Sequence, residues 1–262
     1  MILARTLAVA LLGFGLAWAT PMSRSTRRSP EPARKDGKYF VSPHVAFDNH
    51  ASWTFLGDSL PEGLKISDYQ VQDTHVFVPD NVAVHHGYLE LLVGGGQTAM
   101  PYKCSEVVTD VDNIKYASVR TVAIFSEPAG VCNGIFFYES DSQETDIEWL
   151  SDRYSRSNKG IRRLWLTNQD ADLDGKKTSR NIYPPALATR LEHEYRIDWT
   201  EGRVQWFLDG LQVWEATTDV PSVPGPWVFN NWSNGDKDWS AGPPARDAVF
   251  RIRSIDMYYN TA

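Results

Sequence analysis

The feature that most constrains this fold is its local periodicity. No stretch carries an amphipathic helical pattern of more than three turns. Instead, short runs rich in aromatic and β-branched residues alternate with clusters of Gly, Pro, Asp and Asn. Residues 47–55 and 63–78 fit short strands broken by turns, and residues 87–93 form a clear strand ended by Gly94-Gly95-Gly96. Further strands are expected at 105–109, 116–125, 134–138, 161–167, 227–232 and 248–259. Residues 194–199, 203–208 and 211–214 read as a three-strand meander, its second turn made by Asp209-Gly210. Residues 168–181 are polar and read as a surface loop. About a dozen short strands predict an all-β chain of two stacked antiparallel sheets, with a closed barrel as the geometric alternative.

The chain has 262 residues, enough for one substantial core. Residues 1–19 read as a secretory signal: Arg5 is a basic start, residues 7–16 are apolar, and Ala17-Trp18-Ala19 ends in a small-x-small pattern. The apolar run is short for a bilayer span, so a secreted, extracellular protein without stable membrane association is expected. Residues 20–38 are rich in Ser, Pro and Arg, include Arg27-Arg28, and read as a flexible linker or a processed pro-segment. One domain is then expected over residues 39–262, as a monomer. The formal charge of -7 argues against a nucleic-acid surface. Secretion permits a disulfide between Cys104 and Cys132, with two buried free thiols as the alternative. The six His are scattered, and even His85-His86 has no spaced partner resembling a metal motif.

One strand carries chemistry. In the run from Gln143 to Trp149, Glu144, Asp146 and Glu148 occupy every second position and share one face. Thr145, Ile147 and Trp149 face the other way, toward a core. Paired carboxyls cut glycosidic bonds, at about 5–5.5 Å separation in a retaining reaction. Glu144 and Glu148 have Cα atoms about 13 Å apart along a straight strand, so their long side chains must lean together. Three acids this close raise at least one pKa, as a general acid near neutrality requires. A solvated acidic edge or a calcium site would also use such residues, although the spacing lacks the loop of a dedicated calcium motif.

The run Glu144-Thr145-Asp146-Ile147-Glu148 resembles the E-x-D-x-E signature of glycoside hydrolase family 16. Around it, Gly87-Tyr88-Leu89-Glu90-Leu91 resembles that family's early G-x-L-x-L strand. Val108-Thr109 with Tyr116-Ala117-Ser118-Val119-Arg120 resembles the next region, Ala117 standing where Gly is usual. Trp165-Leu166-Thr167-Asn168, the block from His193 to Trp199, the block from Val204 to Gly210, Asn231-Trp232 and Trp239 extend the likeness over residues 80–259. The resemblance implies a concanavalin A-like β-jelly-roll sandwich and an endo-acting retaining β-glucanase acting on β-1,3/1,4-type glucans. Glu144 would be the nucleophile, Glu148 the general acid/base and Asp146 the assisting carboxylate. The shorter, unbulged form of the signature leans toward lichenases and xyloglucan transferases. A β-glucan or xyloglucan transglycosylase and a non-catalytic lectin-like protein remain alternatives. The substrate would be a polysaccharide, and no cofactor is required; structural calcium stays open.

Aromatic rings offer flat platforms to sugars. Trp199 is the first candidate, followed by Trp165, Trp232 and Trp239, with Asn168 and Asn231 as hydrogen-bonding partners for sugar hydroxyls. Asn231-Trp232-Ser233 is also a glycosylation sequon, one that a place in the cleft would leave unused.

Overall fold

The computed structural model describes residues 28–262. The expected signal sequence and the first part of the 20–38 segment lie outside the described residues. Twenty strands follow in chain order. They are β1 (Ala33–Lys35), β2 (Lys38–Ser42), β3 (Val45–Phe47), β4 (Asn49–Thr54), β5 (Leu64–Ile66), β6 (Tyr69–Val71), β7 (His75–Phe77), β8 (Val82–His85), β9 (Tyr88–Val93) and β10 (Tyr102–Thr109). The second half contains β11 (Ile114–Ile124), β12 (Cys132–Tyr138), β13 (Glu144–Leu150), β14 (Leu164–Asn168), β15 (Thr178–Ile182), β16 (His193–Thr200), β17 (Arg203–Leu208), β18 (Leu211–Ala216), β19 (Trp227–Trp232) and β20 (Ala248–Thr261).

Two large sheets stack as a jelly-roll sandwich. The first runs β15-β14-β13-β12-β19-β10-β7-β6, with β5 also on β10. The second runs β18-β17-β16-β11-β20-β9-β8, with β4 also on β20. Pairing is antiparallel except where β7 meets β10. A small sheet of β1, β2 and β3 completes the described chain.

The sequence explains the layers through period two. Leu89, Leu91 and Val93 of β9 are fully buried while the residues between them are not. Leu164 and Leu166 of β14 likewise enter the core, and Trp149 is buried with its indole donating to Ser126 O at 2.9 Å. Asp209 and Gly210, both at positive φ, close the β17–β18 hairpin, the conformation an Asp-Gly type I′ turn needs.

Two expectations change here. Residues 28–38 are built into the fold: β1 begins at Ala33, Arg120 donates to Pro30 O at 2.8 Å, and Ser29 bonds Glu194. The Cys104–Cys132 disulfide does not form; both are buried free thiols. Cys104 is on β10 and Cys132 on β12, and β19 lies between those strands. Two strand spacings of about 4.8 Å separate them, more than the ~7 Å a disulfide tolerates between Cα atoms.

Candidate active site

Strand β13 lies inside the first sheet, paired on one side with β12 and on the other with β14. Its alternation puts Thr145, Ile147 and Trp149 in the core and turns Glu144, Asp146 and Glu148 to the outer face. There they line a groove of about 670 Å³. The strand is supported from behind by Trp206 of the second sheet, whose indole donates to Asp146 O at 2.9 Å.

The three carboxyls have distinct surroundings. Glu148 Oε1 accepts from the Trp239 indole at 3.0 Å and from the Cys132 thiol at 3.2 Å. Asp146 Oδ2 accepts from the Gln169 amide at 3.1 Å, while its buried Oδ1 receives no N–H or O–H from another group. Burial pushes all three pKa values up. Glu144 reaches about 7, a hydrogen bond from Asp146 opposing the burial and the Glu148 charge adding to it. Asp146 is raised well above the usual carboxylate range, by burial and then by the charges of Glu144 and Glu148. Glu148 is raised by burial, against the two donors on its Oε1. A hydrogen bond between the two carboxyls favours the charged form of Glu144 and the protonated form of Asp146.

The flanks of the triplet differ. On one side Trp165, opposite Glu148 in register, packs against Trp239 with ring centroids 5.1 Å apart. The Lys177 ammonium sits 5.1 Å from the centre of the Trp239 ring. On the other side Trp232 stacks on His75 at 5.5 Å, and both line the groove. Beyond them lies a fourth acid, Glu106 of β10, 3% exposed. It accepts from Ser67 at 2.8 Å, Tyr69 at 3.0 Å and Asn230 at 3.1 Å. Burial raises its pKa and those three donors oppose the rise.

Trp165, Trp232 and Trp239 thus stand beside the acids. The other three expected sugar contacts do not. Trp199 is fully buried in the core, its indole donating to Pro221 O at 2.8 Å. It shares a face of β16 with Tyr195 and Ile197, which fill the interior. Asn168 is fully buried, paired in register with core-facing Thr145, and its amide donates to Thr218 O at 3.0 Å. Asn231 is fully buried as well, its amide donating across the sandwich to Leu91 O at 2.8 Å and Ala248 O at 2.9 Å. Those bonds leave it no hydrogen for a sugar, and they use the amide hydrogen that an attached glycan would replace. The neighbouring Asn230 takes the groove-facing place instead. Glu106, Asn230, Cys132, Gln169 and Lys177 are the site residues that the strand patterns left unmarked. Glu106 had a visible signal, an acid between Ser105 and Val107 in an apolar strand. Among the described residues, no group of three or more His, Cys, Asp or Glu is disposed to hold a metal ion.

A two-sheet jelly roll with a row of carboxyls along an open groove is the concanavalin A-like architecture. Residues 69–245 match the model of glycosyl hydrolases family 16, and the chain belongs to that family. It is 39% identical over 142 residues to a beta-glucanase of Paenibacillus polymyxa, covering 52% of this chain and 56% of that protein. It is 27% identical over 206 residues to Crh-like protein 5 of Aspergillus fumigatus, covering 70% of this chain and 50% of that one. The chain thus spans about half the length of these curated relatives. The endo-beta-1,3-glucanase of Pyrococcus furiosus superposes with a TM-score of 0.66 at 15% identity, over 89% of this chain and 100% of that one. The Bacillus licheniformis beta-glucanase gives 0.64 at 17% identity, over 80% and 98%. At such identities the likeness is one of fold.

Proposed function

We propose that the protein is an endo-acting, retaining β-glucanase, hydrolysing β-1,3/1,4-type glucans after secretion. The observation that carries this reading is the orientation of Glu144, Asp146 and Glu148 into one open groove flanked by Trp165, Trp239 and Trp232. A groove of this size, lined by carboxyls with tryptophan faces at its sides, suits a chain of sugar rings.

Glu144 attacks the anomeric carbon, forming a glycosyl ester. Asp146, protonated, donates to Glu144 and keeps its charge available. Glu148 protonates the departing oxygen through Oε2, since Oε1 is occupied by Trp239 and Cys132. Once Glu144 is esterified its negative charge is gone. Repulsion in the triplet falls, Glu148 gives up its proton, and it becomes the base for the second step. Water as the acceptor gives hydrolysis.

The test is product analysis by mass spectrometry on lichenan, laminarin and xyloglucan, with and without oligosaccharide acceptors. Shortened chains support hydrolysis; lengthened acceptors would reassign the protein as a transglycosylase; neither product on any glycan would leave a binding protein. Glu148→Ala should lower kcat by about 10²–10⁴-fold. Glu144→Ala should lose turnover and recover it with azide, yielding an inverted glycosyl azide. Recovery that yields this product with Glu148→Ala instead would reverse the two roles.

A further inference from the structure

The outer face of the second sheet carries a buried charged cluster with no part in the groove chemistry. Glu194, Arg196 and Asp198 alternate on β16, and Arg120 lies on the adjacent β11; all are 6% exposed or less. Arg196 is committed to Asp198, through its Nε at 2.7 Å and a second bond from Nη2. Arg120 donates to Pro30 O. Glu194 is different. Among the described residues, no Lys, Arg or His approaches it within ion-pair distance. Both its oxygens instead face one backbone nitrogen, that of Ser29, at 2.9 and 3.1 Å. The Ser29 hydroxyl also donates to it and accepts from Arg196 at 3.1 Å. Glu194 thus has no direct ion pair, Arg120 acting on it from a distance and Arg196 through the Ser29 hydroxyl, and the atom it grips is the one that proteolysis could turn into a cation.

The sequence supplies the cut. Ser29 directly follows the basic pair Arg27-Arg28, and Arg28 is exposed. We propose that Arg28–Ser29 is a processing site, cleaved by an endoprotease specific for paired basic residues, and that the new Ser29 ammonium seats on Glu194. Water adds across the peptide bond. Arg28 leaves with the carboxylate, and the amine of Ser29 takes a proton and becomes a direct ion-pair partner for Glu194. The bidentate geometry already present for the amide N–H serves the ammonium without rearrangement, and Arg196 holds the Ser29 hydroxyl from the other side. The other basic pair near the N-terminus, Arg34-Lys35, is less suited, since it lies within β1, paired along its length with β2. The step requires passage through a secretory route, and it is independent of what the groove binds.

The experiment is expression with the native leader in a eukaryotic host, with the host's dibasic-specific endoprotease active or inhibited. N-terminal sequencing and intact mass identify the product. The expected mature chain starts at Ser29 when the protease is active. It starts upstream when the protease is inhibited, or when Arg27→Gln and Arg28→Gln are combined. The Ser29 form should melt about 2–4 °C above the longer form. The ammonium gains a partner on folding, so its pKa rises above the ordinary value of about 8. Its stabilisation is therefore complete below pH 8 and is lost as pH rises through the raised value. Glu194→Gln keeps an acceptor but no charge, and should abolish the difference between the two forms. A mature chain that retains Arg28, one that starts after Lys35, equal melting of the two forms, or a difference that persists unchanged to pH 10 would each overturn the proposal. The wild-type pH series decides alone if Glu194→Gln does not fold.

Discussion

Cys132 is the residue whose part in the site is clearest from geometry and least visible in the sequence. Its thiol donates to the same oxygen of Glu148 as the Trp239 indole. Both donors favour the ionised acid, so removing one raises the Glu148 pKa. In Cys132→Ala the alkaline limb of the kcat–pH profile should move upward, by up to about one unit. Cys132→Ser keeps a donor and should leave the limb near its original position; an unmoved limb in the alanine variant would show that the thiol does not tune Glu148. The same scale shows how the sequence misled. Trp199, Asn168 and Asn231 stand in recognisable motifs, yet strand parity already assigned each of them inward. Asn168 shares its face of β14 with Leu164 and Leu166, and Asn231 shares its face of β19 with Trp227 and Phe229. Motif position outweighed period two, and period two was right. Gln169 and Lys177 had no such signal, because their loop acquires its place only from the tertiary fold.

At the scale of the strand, β12 joins the two halves of the groove floor. Gly134 stands opposite Glu148 of β13 on one side and Asn230 of β19 on the other. A β-carbon added there would lie 2.6 Å from Asn230 Oδ1 and 3.0 Å from the Phe136 ring. The glycine is required by this crowding, since its φ is not positive. Gly134→Ala should therefore cost about 1–3 kcal/mol, read as a lower urea midpoint with an unchanged slope. It should also displace Asn230 from Glu106 and reduce activity; a midpoint equal to wild type would mean that the amide swings aside freely. Most strands were legible because one face is apolar and the other is not. β15 was not: residues 178–182 lie at the sheet edge, largely exposed, and all but Ile182 belong to the stretch read as a loop. Its order comes from backbone pairing with β14, which leaves no hydrophobic imprint. β1 escaped for the same reason, being exposed throughout.

Across the whole molecule the groove buries carboxyl groups whose ionisation costs stability as pH rises. Glu144, Asp146, Glu148 and Glu106 all have folded pKa values raised by burial. The folded state holds these protons more tightly than the unfolded chain. Their contribution to stability is therefore full below the unfolded carboxylate pKa and is lost as pH rises through the folded values. For Glu144 that window runs from the ordinary 4.5 to about 7. Stability attributable to this residue should fall across that range. Glu144→Gln should be more stable than wild type at pH 8 by about 1–3 kcal/mol and should nearly match it at pH 4. Urea unfolding at the two pH values checks the sign. Equal stability of variant and wild type at pH 8 would mean that Glu144 ionises freely in the folded state.

The bonds behind the groove bear on how such a protein can diversify. Asn231 ties β19 to carbonyls of the opposite sheet, and Trp206 ties β13 in the same manner. The floor that holds the acids is thus fastened to the interior, and a change there disturbs both layers at once. The rim is held more loosely: Gln72 on one side, and residues 173–176 on the other, have much of their surface in solvent and do not touch the acids. Substitutions and insertions at the rim can therefore reshape which chain fits the groove while the reacting groups stay fixed. The architecture separates heritable novelty in recognition from conservation of chemistry, so a library aimed at new substrate preference belongs on the rim.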